Sequence, residues 1–110
     1  MLTTEQIRAL IASGNIKAFY KDYDWRMLAL EIIREHHGEC LMCRAEHRLT
    51  MAKLVHHVLY LRERPDLAYS RTYTDADGEH IQLMPLCHAC HERIHMRNFK
   101  HPRYTNEEKW

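Results

Sequence analysis

The sequence predicts an α+β fold in which N-terminal helices pack on a small unit of two strands and a final helix. Three observations predict it. Apolar residues recur at helical spacing in two stretches before Gly38. A Val- and Leu-rich stretch at residues 54–59 follows, then a turn signal and residues 79–83 as a returning strand. Two Cys-x-x-Cys pairs, Cys40/Cys43 and Cys87/Cys90, bracket both stretches, so four sulfurs can draw the ends of the unit together.

Each element has a local reason. Residues 3–13 carry Ile7, Leu10 and Ile11 on one helical face, and Gly14 can terminate that helix. Residues 15–21 read as a short turn leading to Asp24, which suits an N-cap. Trp25, Leu28, Ala29, Ile32 and Ile33 then share a face until Gly38 closes the helix, and Trp25 is expected in the core. The strand at 54–59 contains His56 and His57. Neighbours on a strand face opposite sides, so both can enter one centre only if the strand ends, bends or bulges there, and such an irregularity is expected. Arg64-Pro65-Asp66-Leu67 reads as a short helix start, Asp75-Ala76-Asp77-Gly78 as a turn, and residues 79–83 as the returning strand. After Pro85 the second Cys pair opens the last helix, on which His91 and His95 share a face. The expected organisation is one domain, with helices at residues 1–36 packed on a unit at 37–110.

Composition agrees. A chain of 110 residues that is 45% apolar and 28% charged has ordinary globular usage. At this size the apolar core is modest, so a structural metal would contribute much of the folding free energy. No apolar run approaches the roughly 20 residues of a membrane span, and the N-terminus lacks the basic start and apolar stretch of a signal peptide. The expectation is a cytoplasmic protein with no membrane contact, whose Cys pairs bind metal rather than form disulfides. The balance of 16 Lys and Arg against 15 Asp and Glu does not by itself announce a nucleic-acid partner. Distribution says more. Residues 93–103 carry Arg93, Arg97, Lys100 and Arg103 with no acid, whereas Glu31, Glu35, Glu39 and Glu46 cluster before and around the first Cys pair. The basic segment and Arg71 are candidate phosphate contacts.

Two metal sites follow from donor chemistry. Cys40, Cys43, Cys87 and Cys90 can close a tetrahedron around zinc and leave no position open, which marks a structural site. His56, His91 and His95 offer three neutral nitrogens that leave positions free, with His57 beside them to handle a proton. Three imidazoles favour Zn²⁺, Ni²⁺, Co²⁺ or Mn²⁺ over Mg²⁺, which prefers oxygen ligands but stays in the candidate set. His36, His37, His47 and His101 have no metal spacing and read as surface residues.

The run Cys40-Leu41-Met42-Cys43, then Val55-His56-His57, then Leu83-Met84-Pro85-Leu86-Cys87-His88-Ala89-Cys90-His91 and His95, resembles HNH endonucleases of the ββα-metal class, in the zinc-stapled form of phages and prophages. The likeness runs from about Phe19 through Arg97, with Phe19-Tyr20 and Trp25-Arg26 resembling the helical lead-in of the phage proteins. It implies hydrolysis of DNA phosphodiester bonds to 5′-phosphate and 3′-hydroxyl ends. His57 would be the general base, and His56, His91 and His95 the ligands of a catalytic ion that stabilises charge on a phosphate oxygen and the leaving 3′ oxygen. One position departs from the family pattern. The family Asn, nine residues before the first helix His, falls on Gln82. In the family that Asn tethers the loop between the strands, and Gln offers the same amide on a stem longer by one methylene. The expected function is weakly specific nicking or cutting of double-stranded DNA. The phage resemblance suggests partners in genome packaging such as the terminase. The runner-up is a non-catalytic zinc-dependent DNA-binding or assembly module, kept open by Gln82.

Overall fold

The computed structural model describes residues 1–97. Their order is α1 (Thr4–Ala12), α2 (Lys17–Tyr20), α3 (Tyr23–Glu35), α4 (Leu41–Ala45), β1 (Leu54–His57), a 3-10 turn (Pro65–Leu67), β2 (Thr72–Asp75), β3 (Gly78–Ile81), β4 (Leu83–Leu86) and α5 (His88–Arg97). None of the described helices is long and apolar enough to cross a membrane.

Local chemistry accounts for the helix ends. Thr3 and Gln6 form a reciprocal capping box at α1, with the Gln6 amide N–H donating to Thr3 Oγ1 at 3.1 Å and Thr3 N–H donating to Gln6 Oε1 at 2.9 Å. The expected turn after Gly14 contains α2, which buries Phe19 completely. The cap of α3 is Asp22, not Asp24. Asp22 has extended backbone and accepts from Trp25 N–H at 3.0 Å, while Asp24 lies inside the first turn. The same Asp22 oxygen accepts from the Tyr69 hydroxyl at 2.9 Å, which ties the helix start to the distant loop after β1. At the other end His37 (φ 60°) and Gly38 (φ 75°) turn left-handed, and Gly38 N–H returns to the Ile33 carbonyl at 2.8 Å.

The returning strand is not at residues 79–83. Asp77 N–H donates to Asp75 Oδ1 at 2.9 Å and Gly78 takes φ 116°, so the turn closes a local hairpin in which β2 and β3 pair with each other. The partner of β1 is β4, antiparallel, from Leu54 opposite Leu86 to His57 opposite Leu83. Pro85 lies within this strand, opposite Val55, rather than after it. A two-stranded sheet leaves each strand an edge, where a missing N–H is tolerated. The strand of the first His pair is also shorter than expected, ending at His57.

The β1–β4 ribbon divides the interior in two. Val55 and Leu83 join Ile7, Phe19, Trp25, Ile32 and Leu61 in a cluster beneath the N-terminal helices. Leu54 and Leu86 join the four cysteines on the other side. Period-two alternation along the strands produces this division. Fully burying a side chain such as Phe19 or Leu86 contributes about 1.5–3 kcal/mol.

Asp22→Ala removes a helix cap and the acceptor of a buried-side hydrogen bond together. It is expected to destabilise the chain by about 2 kcal/mol in urea unfolding, whereas Asp24→Ala should cost clearly less.

Candidate functional site

The four cysteines meet. Cys40, at the start of α4, and Cys43 within it face Cys87 and Cys90 from the β4–α5 junction, and all four sulfurs lie within 4.8 Å of one another. Cys43 Sγ is 3.8 Å from Cys87 Sγ and 3.5 Å from Cys90 Sγ. Corners of a tetrahedron with a Zn–S distance of about 2.3 Å stand about 3.8 Å apart, so the cluster fits zinc. The thiols are free rather than disulfide-bonded. Their crowding separates their acidities. The Thr50 hydroxyl and the neighbouring sulfurs bring Cys43 down to about 6, whereas burial pushes Cys90 up to about 12.

His56 and His91 also meet. Both are buried, one on β1 and one on α5, and their ring centroids are 5.3 Å apart at 68°. Two imidazoles sharing one ion at about 2.1 Å in a tetrahedral arrangement place their centroids about 5 Å apart, a separation close to that of this pair. His95 follows His91 by one turn of α5. The side chains of His95 and Arg97, and all of Lys100, lie outside the described residues.

His57 occupies different surroundings. The β1–β4 ladder runs without a bulge through His56 and His57, and the strand then ends at His57, one of the irregularities expected there. Alternation turns His57 toward the N-terminal helices. There its ring stacks on Trp25 at 4.6 Å and 21°, with Phe19 at 5.8 Å and Tyr20 at 6.1 Å. Nε2 lies 3.1 Å from the Ala68 carbonyl, which can only accept, so Nε2 carries the proton and Nδ1 is the basic nitrogen. Burial lowers the ring's pKa to about 4, outweighing the raising effect of the Ala68 bond. The ring is therefore neutral at cellular pH, as expected, but a weaker base than an ordinary histidine. Neither Trp25 nor Ala68 could be picked out as its neighbour from the sequence, because both contacts join elements far apart in the chain.

Gln82 is fully buried between β3 and β4. Its Nε2 donates to the Leu59 carbonyl and its Oε1 accepts from Leu59 N–H, both at 2.8 Å, while its own carbonyl accepts from Val58 N–H at 2.8 Å. The longer amide thus grips both main-chain groups of one loop residue just beyond His57. His80 belongs to the β2–β3 hairpin, where it stacks on Tyr73 and pairs with Asp75 at 2.8 Å.

The described arginines among the candidate phosphate contacts have protein partners. Arg71 lies 3.1 Å from Glu31 and 2.9 Å from Glu35, and Arg93 donates to Cys90 Sγ at 3.1 Å.

With this geometry established, the chain is similar to the HNH endonuclease of the deep-sea thermophilic bacteriophage GVE2, solved with a manganese ion. The two are 26% identical over 84% of this chain and 88% of that one, with a TM-score of 0.64. No family model matches the chain, and no curated protein matches it. The fold defines a small α+β protein of the ββα type with a four-cysteine cluster. The chain shares its fold with that HNH endonuclease.

Two outcomes follow from this geometry. A ring whose pKa falls from 6.5 unfolded to about 4 folded contributes stability that is fully present above pH 6.5 and is lost as pH drops toward 4, on the order of 3 kcal/mol in all. His57→Phe is expected to remove about one proton from the pH dependence of unfolding in that window, read from urea midpoints. Gln82→Ala strands both main-chain groups of Leu59, and amide exchange at Leu59 is expected to accelerate with a stability loss of about 2 kcal/mol.

Proposed function

We propose that the chain is a metal-dependent endonuclease that hydrolyses phosphodiester bonds of double-stranded DNA. The single observation that carries this is the meeting of His56 and His91 at 5.3 Å, on a fold shared with a phage HNH endonuclease that holds manganese. In this reading His56, His91 and His95 hold one divalent ion, Zn²⁺, Ni²⁺, Co²⁺, Mn²⁺ or Mg²⁺. When bound, it supplies positive charge against a phosphate oxygen and the leaving 3′ oxygen. The four cysteines hold a separate structural zinc.

His57 is proposed as the residue that takes the proton of the attacking water at Nδ1, with Ala68 fixing the tautomer. Its burial under Phe19, Tyr20 and Trp25 requires that DNA binding uncover the strand end, which would also return the ring toward ordinary basicity. Gln82 acts by holding the loop through which that water enters. Arg26 and Lys53 line one groove between α3 and β1 and form no ion pair among the described residues, so they join Arg97 and Lys100 as proposed phosphate contacts. Arg71 and Arg93, already paired, are weaker candidates. Kinship with a phage protein supports a role in the host cytoplasm beside packaging proteins such as the terminase.

One observation favours the alternative, a zinc-dependent DNA-binding module: His57 is wholly enclosed and suits a core residue. For the same reason His57→Ala would open a cavity, so His57→Gln is the better probe. Metal-stripped protein resupplied singly with Mn²⁺, Ni²⁺, Co²⁺, Mg²⁺ or Zn²⁺ is expected to nick supercoiled plasmid. His56→Ala should abolish nicking, and His57→Gln should slow it at least a hundredfold while duplex binding persists. Wild-type rates in His57→Gln would make it a core residue only. Binding without cutting in every sample would leave the module reading standing.

A further inference from the structure

We propose that Arg93 and Arg48 partly offset the charge of the four-sulfur site and, through Glu46, lock α4 to α5 around it. Zinc held by four thiolates carries a net charge of −2, and these sulfurs are buried, with Cys40 and Cys90 fully enclosed. A buried anion is costly unless it is paired and hydrogen-bonded. Two guanidinium groups meet that requirement, one for each Cys pair. Arg93, one turn beyond Cys90 on α5, brings Nη2 to 3.1 Å from Cys90 Sγ. Arg48, just past α4, brings Nη2 to 3.8 Å from Cys43 Sγ. Glu46 Oε1 contacts Arg48 and lies 3.7 Å from Arg93, so one carboxylate from the α4 side bridges the two cations. Without it, two like charges would crowd one small cluster.

The arrangement changes the meaning of Arg93. In the sequence it heads a basic run that suggests phosphate contact, yet its guanidinium is turned toward sulfur. It also bears on the histidine site, because His91 directly follows Cys90 and α5 is positioned by the sulfur cluster. The inference concerns the sulfur site and stands apart from the nuclease reading.

The test measures zinc release from the zinc-loaded full chain to a chromogenic chelator, with circular dichroism confirming that each protein is folded. Arg93→Gln is expected to release zinc at least tenfold faster than wild type. Arg48→Gln should accelerate release less, in keeping with its longer contact. Arg93→Lys, which keeps the charge but not the planar fork, should fall between, and it serves as the probe if Arg93→Gln fails to fold. Arg64→Gln, which removes an exposed partner of Asp66, should leave the rate unchanged. Zinc release from Arg93→Gln at the wild-type rate, or equal acceleration by Arg64→Gln, would overturn the proposal.

Discussion

The constraint on which the rest depends is the convergence of four sulfurs within 4.8 Å. Two come from α4 and its cap, two from the passage of β4 into α5, so the cluster fixes where the last helix leaves the ribbon. Among the described residues, the buried cluster on that side holds Leu54 and Leu86 besides its cysteines, with Met42, Met84 and Ile94 partly buried against it. Apolar burial of that extent supplies a few kcal/mol at most. A metal held by these sulfurs would do there what a larger core does elsewhere, as in small metal-stapled domains. Because His91 is the residue after Cys90, the staple also determines how the α5 histidine meets His56.

The two-stranded ribbon is the second organising element. With sulfur chemistry on one face and an aromatic cluster on the other, strand alternation makes a His-His dipeptide into two different groups. His56 joins His91 beside the sulfur cluster. His57 goes beneath Trp25, where loss of hydration lowers its pKa and the Ala68 carbonyl selects its tautomer. Gln82 sits at the junction, binding the main chain that follows the dipeptide from the start of the opposite strand.

Charge follows the same logic of distant pairing. The acidic cluster before the first Cys pair and the scattered arginines look like separate populations along the chain. In the fold they interlock: Glu31 and Glu35 hold Arg71, and Glu46 stands between Arg48 and Arg93. These exposed pairs add little stability individually. Their larger effect is to commit arginines that would otherwise present free charge to an anionic partner.

By itself, the sequence determined most of what depends on near neighbours. Helical periodicity, the capping segments, the Asp75–Gly78 turn, the Cys-x-x-Cys pairs and the ordered HNH-like motif are relations across a few residues, where geometry follows from residue type. Even there, choices between close alternatives were not legible. Asp22 rather than Asp24 caps α3 because Tyr69, remote in sequence, bonds the same carboxylate, and β4 rather than residues 79–83 returns to β1 because the tight turn makes its own hairpin. Tertiary structure alone decided the enclosure of His57, the grip of Gln82 on Leu59 and the partners of Arg71 and Arg93. Each of these rests on contacts between distant segments, and which segments meet is settled by the summed packing of the whole chain rather than by any local pattern.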